Sequence, residues 1–387
     1  MSKVKPHINP AILTWARQRL NFTPEDLAKK AGVSEERYVE WEKGEARPTF
    51  RQLSLIAKGL GRTSSFFYLQ QPPDEPEPRL EMRRVYGSNP VQDSKEFAKE
   101  IQEMLKRRAI AIQLFERLEE EVPEIPFRFE LETNPEESAQ IVREWLGISM
   151  DTQLGWDNVY AALKGWRKVL ESKGILTFQM SGIPVAEARG FAINYRPFPI
   201  AAFNSNDAVT GRIFTLLHEV GHILLGESVL HERSPLESNN AIENWCNRFS
   251  ATVLLPEEYV TQTARDTGKH ANAVWSEQEI EAISRRFIVS PSAMVRRLRR
   301  LDLIANESYQ ELVKVFDQRR PYDSGGSGGN HYNNVLARLG TLLPSMAFQG
   351  YYSGEINTRD LSSIMGTSVA KLGVMEEKVM GVNYAFK

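Results

Sequence analysis

Hydrophobic residues recur at intervals of three and four along most of the chain, which is the spacing of one face of an α-helix. This pattern predicts four or five short helices within residues 12–60 and a long, highly charged helix over residues 94–121. It predicts two further helices over residues 135–146 and 156–173. The chain is therefore predicted to be mainly helical.

A different pattern covers the residues just before the most apolar helix of the chain. Three short runs, residues 174–180, 190–195 and 200–204, are rich in aliphatic and aromatic side chains and predict strands. A proline-containing turn joins the last two. An edge strand of such a sheet can pair with the backbone of an extended peptide. The alternative is a sheet that only packs behind the helices.

The first 60 residues carry strong signals for where helices begin and end. Thr23 is a predicted N-cap followed by Pro24 at the first helical position. Gly32 then supplies a turn, and Ser34 is a second predicted N-cap for a helix over residues 35–42. Two short helices joined by a glycine-containing turn are the helix-turn-helix arrangement.

Composition narrows the class of protein. The chain has 387 residues, 41% hydrophobic and 25% charged, which predicts a globular protein of two or three domains. A single cysteine excludes an internal disulfide framework and fits a reducing compartment. We find no secretory segment and no long apolar run. These features predict a cytoplasmic location and no membrane partner.

Charge is distributed unevenly along the chain. Residues 1–62 hold 12 Lys/Arg and 7 Asp/Glu, a net charge of +5, whereas the whole chain carries −2. This difference favours DNA as a partner of the N-terminal region. The acidic residues Glu35, Glu36 and Glu40 oppose it and leave a protein-binding role for the same helices open. The candidate base contacts are Arg37 and Tyr38, and the candidate backbone contacts are Arg17, Lys43 and Arg51.

The motif with the clearest chemistry is H-E-x-x-H, within the apolar residues 214–222. Residues four apart lie on one face of a helix, so His218 and His222 can bind one metal ion from the same side. Glu219 is then placed to take a proton from a water molecule at that metal. Two histidines buried in a helical core are the alternative explanation.

A zinc site of this kind needs a third protein ligand, usually from the next helix. Helical spacing continues over residues 241–255, and Glu243 and Asn247 share one face of that predicted helix. We therefore predict Glu243 as the third ligand and Asn247 as a side chain that orients it. Glu227 is the competing candidate, but it lies only five residues after His222, at the end of the same helix.

The same residues resemble a known family. The pattern F-T-x-x-H-E-x-G-H at residues 214–222, followed by I-E-x-x-x-N-x-F and L-L-P within residues 242–256, is similar to the ImmA/IrrE metallopeptidases. The resemblance extends over about residues 126–304 and places Glu243 on the family's zinc-ligand position. It departs from the family at Cys246, Ser250 and Val253, all modest changes in size. It implies a Zn²⁺-dependent endopeptidase that cuts one regulatory protein, such as a repressor, at a specific site.

The N-terminal residues carry a second resemblance. L-A at residues 27–28, A-G-V-S at 31–34, W-E-K-G at 41–44 and R-P-T at 47–49 are similar to Xre/Cro-type repressor domains. The resemblance implies DNA binding through a recognition helix over residues 34–41. Domains of this type often act as dimers, so a homodimer is consistent with it.

Residues 276–301 allow two interpretations. They predict a second helix-turn-helix with six arginines, which would contact nucleic acid. Alternatively they form a helical hairpin that closes the peptidase domain, with the arginines solvated or paired with acidic residues.

Together these patterns predict an α+β, mainly helical protein. The predicted parts are a helix-turn-helix domain (residues 7–70), a linker and connecting helix (71–125), a zincin-like peptidase domain (126–304) and a helical C-terminal region (305–387) with a Gly/Ser-rich stretch at 323–330. The predicted function is a transcriptional regulator coupled to a zinc endopeptidase. The alternative is a DNA-binding regulator or antitoxin whose zinc domain senses a signal or binds a partner, such as a toxin, without significant proteolysis.

Overall fold

The computed structural model describes residues 5–73, 80–83, 94–226, 235–319 and 331–381. It divides the chain into two compact units. The first comprises residues 1–78 and 89–105, and the second comprises residues 79–88 and 106–387. Mainly helical structure with one small sheet confirms the predicted fold class.

The first unit is a small helical bundle whose elements begin at capping residues. Thr23 accepts a hydrogen bond from the backbone N–H of Asp26, and Thr49 accepts one from Gln52; each forms a reciprocal capping box. Ser34 caps the third helix, and Gly32 ends the second with a positive φ. The helices are α1 (Pro10–Gln18), α2 (Pro24–Ala31), α3 (Glu35–Glu42), α4 (Phe50–Gly59) and the first part of α5 (Lys95–Arg117), with a 3-10 turn at Ser64–Tyr68.

The start of α5 belongs to this unit. Lys95 on α5 forms an ion pair with Asp26 on α2, with 2.6 Å between Nζ and Oδ1. Lys99, one turn further along α5, places its ammonium over the ring of Phe22. Phe97 is fully buried. The helix-turn-helix bundle is therefore completed by a helix that begins at Lys95, well after the 3-10 turn that ends at Tyr68.

The second unit contains the remaining helices and the sheet. These are α6 (Pro135–Leu146), α7 (Met150–Leu154), α8 (Val159–Ser172), α9 (Val209–Leu225), α10 (Pro235–Leu254), α11 (Glu257–Asp266), α12 (Glu277–Phe287), α13 (Pro291–Arg300), α14 (Asn306–Gln318), α15 (His331–Leu339), α16 (Leu342–Tyr352), α17 (Thr358–Met365) and α18 (Leu372–Met380). Helix α10 packs against both α6 and α9, and α9 packs against the sheet. Among the described residues, no helix is both long enough and apolar enough to cross a bilayer.

The sheet has four strands in the order β1-β3-β4-β2, namely β1 (Leu80–Arg83), β2 (Leu176–Met180), β3 (Gly190–Ile193) and β4 (Ile200–Asn204). Strand β3 pairs antiparallel with both β1 and β4, whereas β2 pairs parallel with β4. The three predicted strands are present. Strand β1 is an additional element within the residues predicted as linker. Its Leu-Glu-Met-Arg sequence alternates apolar and charged residues, but four residues in a Pro- and Glu-rich segment are too short a run to predict a strand.

The C-terminal helices are attached to the second unit through a buried carboxylate. Glu171, near the end of α8, accepts hydrogen bonds from the backbone N–H groups of Thr341 and Leu342, the latter at 2.7 Å from Oε2. These N–H groups lie at the N-terminus of α16, where a negative charge is favourable. Glu171 also accepts a hydrogen bond from the hydroxyl of Thr177 on β2.

Candidate metal centre

Helix α9 carries the H-E-x-x-H motif and is held at its N-terminus by Asp207. The Asp207 carboxylate accepts a hydrogen bond from the backbone N–H of Ala208 at 2.9 Å, and Arg189 lies 3.3 Å from its other oxygen. Gly211 makes this placement possible, because a Cβ there would lie 2.9 Å from the Asp207 carboxylate. The first turn of α9 is thus anchored by a buried carboxylate.

The structure brings His218, His222 and Glu243 together around one point. The two Nε2 atoms of His218 and His222 are 3.1 Å apart. The Glu243 carboxylate on α10 lies 3.2 Å from His218 Nε2 through Oε2 and 3.3 Å from His222 Nε2 through Oε1. Among the described residues, these three form the cluster of histidine and carboxylate groups that could hold a metal ion.

The spacing of these atoms fits zinc. Ligand atoms about 2.1 Å from a tetrahedral Zn²⁺ lie about 3.4 Å from one another, close to the separations of 3.1–3.3 Å seen here. The His218 side chain is fully buried, whereas the Glu243 side chain is 36% exposed, so the site opens towards solvent on the side of α10. Burial opposes ionisation of Glu243, but hydrogen bonds from the two histidines outweigh it and hold the pKa of that carboxyl well below its ordinary value.

Glu219 lies on the sheet side of the same helix and is fully buried. Strand β3 approaches it at Gly190, where a Cβ would lie 2.8 Å from Glu219 Oε1 and 2.3 Å from Thr215 Cγ2. A side chain at Gly190 would therefore displace Glu219 or α9. Sequence reasoning missed Gly190; the available signal was a glycine at the first position of a predicted strand, which often marks close approach of two segments.

A second glycine sets the distance between α9 and α10. A Cβ at Gly221 would lie 3.1 Å from the Sγ of Cys246 and 3.3 Å from the ring of Phe249. Cys246 is fully buried and is not among the three metal-site residues. The glycine inside the motif thus lets α10 bring Glu243 to the histidines.

Two other predicted residues stand apart from this cluster. Asn247 lies one turn beyond Glu243 and is half-buried, but within the described part of the chain no hydrogen bond joins the two side chains. Its role in orienting Glu243 stays a prediction. Glu227, the competing ligand, lies outside the described residues.

The structure corrects one candidate DNA contact, Tyr38, and shows a second, Arg17, paired within the bundle. Tyr38 is fully buried in the core of the first unit, where it packs against Trp41, and cannot reach a base edge. Arg17 forms a bidentate ion pair with Glu42 at 2.7 and 3.0 Å and donates to the carbonyl of Phe22. Its guanidinium therefore stabilises the bundle itself. Neither role could be read from the sequence, because each depends on which face of its helix meets the other helices.

The remaining candidates are accessible. Lys43 and Arg51 are exposed. Arg37 is partly exposed but forms an ion pair with Glu40, one turn along α3. The outward face of the predicted recognition helix therefore combines one paired cation with the exposed carboxylates of Glu35 and Glu36.

The arginine-rich hairpin of α12 and α13 is engaged within the second unit. Arg297 is buried and donates to the carbonyl of Leu255 at 2.9 Å. Arg296 forms an ion pair with Asp317, and Arg300 forms one with Glu136. These contacts favour the interpretation that the hairpin closes the domain. They do not favour a second contact to nucleic acid.

A pair of histidines on one helix and a glutamate on the next, beside a buried glutamate, is typical of zinc peptidases of the H-E-x-x-H class. Residues 170–299 match the family model described as the IrrE N-terminal-like domain, a peptidase family, and residues 13–67 match a helix-turn-helix family. Both resemblances drawn from the sequence are thereby confirmed. The chain combines an ImmA/IrrE-type peptidase domain with a helix-turn-helix domain, a type of domain that binds DNA. No curated protein matches the chain.

Proposed function

We propose that this protein is a cytoplasmic DNA-binding regulator whose second unit is a zinc-dependent endopeptidase. The observation that supports this most directly is the convergence of His218, His222 and Glu243 beside the buried Glu219. A purely structural zinc site closes with four protein ligands, whereas a catalytic one keeps a position open. Among the described residues there are three candidate protein ligands, and the Glu243 side chain is partly exposed, which favours the catalytic type.

The proposed roles follow from the positions of the side chains. His218, His222 and Glu243 would hold Zn²⁺, which when bound lowers the pKa of water and polarises a peptide carbonyl. Glu219 would accept a proton at its carboxylate and deliver it to the leaving amine. Its burial between α9 and β3 fixes the carboxylate and excludes bulk water on that side.

The proposed substrate is one regulatory protein, for example a repressor, cut at a specific site. The supporting observation is the combination of domains. A helix-turn-helix domain on the same chain suggests that the peptidase domain acts in gene regulation. Among the described residues, Lys43 and Arg51 are the proposed contacts to the DNA backbone, with Arg37 as the base-contact candidate.

One observation favours a second candidate function. The outward face of α3 is acidic, with Glu35, Glu36 and the Arg37–Glu40 pair. Such a face suits a basic protein partner better than phosphate. The alternative is therefore an antitoxin-like or sensory regulator in which the zinc domain binds a partner and proteolysis is insignificant.

Metal content tests the ligand set. Elemental mass spectrometry of the purified full chain should give about one zinc per chain, lost or strongly weakened in Glu243→Ala. Glu227→Ala is the matched control and should retain zinc. Folded wild-type protein without zinc after supplementation would rule out the peptidase.

Cleavage separates the two candidate functions. Glu219→Gln should keep its zinc and lose about 10²-fold to 10⁴-fold or more in cleavage rate, because the proton acceptor is removed. The same variant, inactive but able to bind, can capture the substrate for identification. If Glu219→Gln regulates in cells as well as the wild type does, the partner-binding alternative is favoured.

A further inference from the structure

Strand β1 occupies the edge of the sheet beside the candidate metal centre. It pairs antiparallel with β3 over four residues, from Leu80 opposite Ile193 to Arg83 opposite Gly190. Gly190 is the residue whose Cβ position lies 2.8 Å from Glu219 Oε1. The backbone of β1 therefore ends at the sheet position that adjoins the proposed catalytic carboxylate.

The chain reaches this edge from outside the peptidase domain. Residues 79–88 belong to the second unit, but the segments before and after them belong to the first. The match to the peptidase family begins only at residue 170, so β1 is not part of the matched domain. Strand β1 thus belongs to the second unit but lies outside the residues that match the peptidase family.

The edge that β1 covers is the one suited to an extended peptide. The other edge strand of the sheet, β2, packs against α15. Without β1, β3 would present its backbone N–H and C=O groups next to the metal-site helix. Extended peptides bind such edges by adding a strand, with backbone hydrogen bonds supplying the affinity.

We propose that residues 80–83 act as an internal pseudosubstrate, holding the β3 edge in the way that an extended peptide substrate would. The inference rests on the proposed peptidase function and adds a form of regulation to it. A peptide substrate then has to displace a strand of the same chain, and the covalent tether gives that strand a high effective concentration. The free protein is therefore latent, and release of β1 activates it.

A binding experiment tests this without any turnover. In the Glu219→Gln background, the double substitution Glu81→Pro and Met82→Pro weakens the pairing of β1 with β3. Of two consecutive residues in an antiparallel strand, one directs its N–H towards the neighbouring strand. Proline has no N–H, so replacing both residues removes that hydrogen bond. The probe is a fluorescein-labelled peptide with the sequence of residues 76–90. By fluorescence anisotropy, the proline variant should bind it at least about tenfold more tightly than its parent, because the internal competitor is gone.

Gly87→Pro with Ser88→Pro, further along the sequence than the four residues of β1, is the matched control and should bind like the parent. Equal affinity in all three proteins overturns the proposal. Because Glu219→Gln does not cleave, this result is independent of whether the wild type proves to be a peptidase.

Hydrogen exchange gives a second readout. Backbone amides of residues 190–193 should exchange faster in the proline variant and regain protection when the peptide is added, while those of residues 200–204 stay protected. Unchanged exchange in β3 overturns the proposal.

Should the proline variant fail to fold, Glu81→Gly with Met82→Gly weakens the strand more mildly and should shift both readouts in the same direction. Cleavage of the zinc-loaded wild type within residues 80–84, detected by mass spectrometry, would make β1 a substrate and overturn its role as an inhibitor.

Discussion

Gly190 sets how closely strand β3 approaches Glu219, and a single methyl group tests that contact. Gly190→Ala places a Cβ 2.8 Å from Glu219 Oε1 and 2.3 Å from Thr215, so one of these must move. We expect a cleavage rate about 10²-fold lower, the usual result of misplacing a catalytic group by about 1 Å. Zinc content should stay near one per chain, because none of the three proposed ligands contacts this position.

The matched control for this prediction is Gly59→Ala. Its added methyl comes close only to the flexible side chain of Lys30 and makes an ordinary van der Waals contact with Leu27, so zinc content and cleavage should be unchanged. Normal cleavage by Gly190→Ala would show that Glu219 does not need its present position. Both rates are measured on the captured substrate at equal zinc loading.

At the scale of single residues, the metal cluster could be predicted because its residues lie close together in the sequence. His218 and His222 are four residues apart on one helix, and Glu243 follows on the next. Tyr38 was wrongly predicted as a base contact, since periodicity shows that a helix is amphipathic but not which neighbours bury a given side chain. Gly190 was missed because its importance comes from a contact with another element.

The contact between α9 and α10 depends on the pair Gly221 and Cys246. Gly221→Ala should lower the free energy of unfolding by about 1–3 kcal/mol, because its Cβ would lie 3.1 Å from Sγ. In the Cys246→Ala background the same change should cost less, since the sulfur atom is absent. Urea unfolding of the wild type, both single variants and the double variant gives the coupling energy. If the losses of unfolding free energy in the two single variants simply add up in the double variant, the clash does not determine the spacing between α9 and α10.

Helices α6, α10 and α13 are joined at Glu136, which forms ion pairs with Arg248 at 2.7 Å and Arg300 at 2.8 Å. Burial opposes its ionisation, but the two guanidinium groups outweigh it and lower the pKa of Glu136 below its ordinary value of 4.5. The pairs therefore stabilise the fold above pH 4.5, and this contribution is lost as the pH falls through the lowered pKa.

Glu136→Gln should accordingly destabilise the protein by less than about 1 kcal/mol at pH 7, since the pairs are partly exposed. The difference in the free energy of unfolding from the wild type should shrink as the pH falls below 4.5. Denaturant unfolding at pH 7, 5 and 3 measures it. Glu137→Gln, the exposed neighbour on the same helix, should show no such change. A difference that persists at pH 3 would contradict the role of the charge.

Among the elements, helices were predicted better than strands because helix signals are contained in a few neighbouring residues. The residues 35–42 and 135–146 were predicted as they are found, with Ser34 and Asn134 as observed caps. Strand β1 alternates apolar and charged residues over only four positions, and its partner β3 lies about 110 residues further along the chain. Pairing over that distance is decided by the assembled sheet and not by local composition.

For the whole molecule, Glu171 determines how the C-terminal helices are held. Glu171→Ala removes the acceptor for the backbone N–H groups of Thr341 and Leu342 and for the hydroxyl of Thr177. We expect the free energy of unfolding to fall by about 1–3 kcal/mol, as when other buried donors lose their acceptor. Hydrogen exchange of residues 342–352 and urea unfolding measure it.

Glu171→Gln keeps an acceptor oxygen, so its free energy of unfolding should fall less than that of Glu171→Ala. Equal stability of Glu171→Ala and the wild type would show that packing alone attaches α16. The metal site should keep its zinc in both variants, because its three residues lie on α9 and α10.

This attachment means that an intact covalent chain is not needed to keep the C-terminal helices in place. Residues 320–330 lie between α14 and α15, whereas the bonds at Glu171 join α8 directly to α16. A protein nicked between residues 320 and 330 would run as two bands on a denaturing gel and as one species in native mass spectrometry. The two pieces, co-expressed from separate genes, would reassemble, so this position would accept a split-protein reporter.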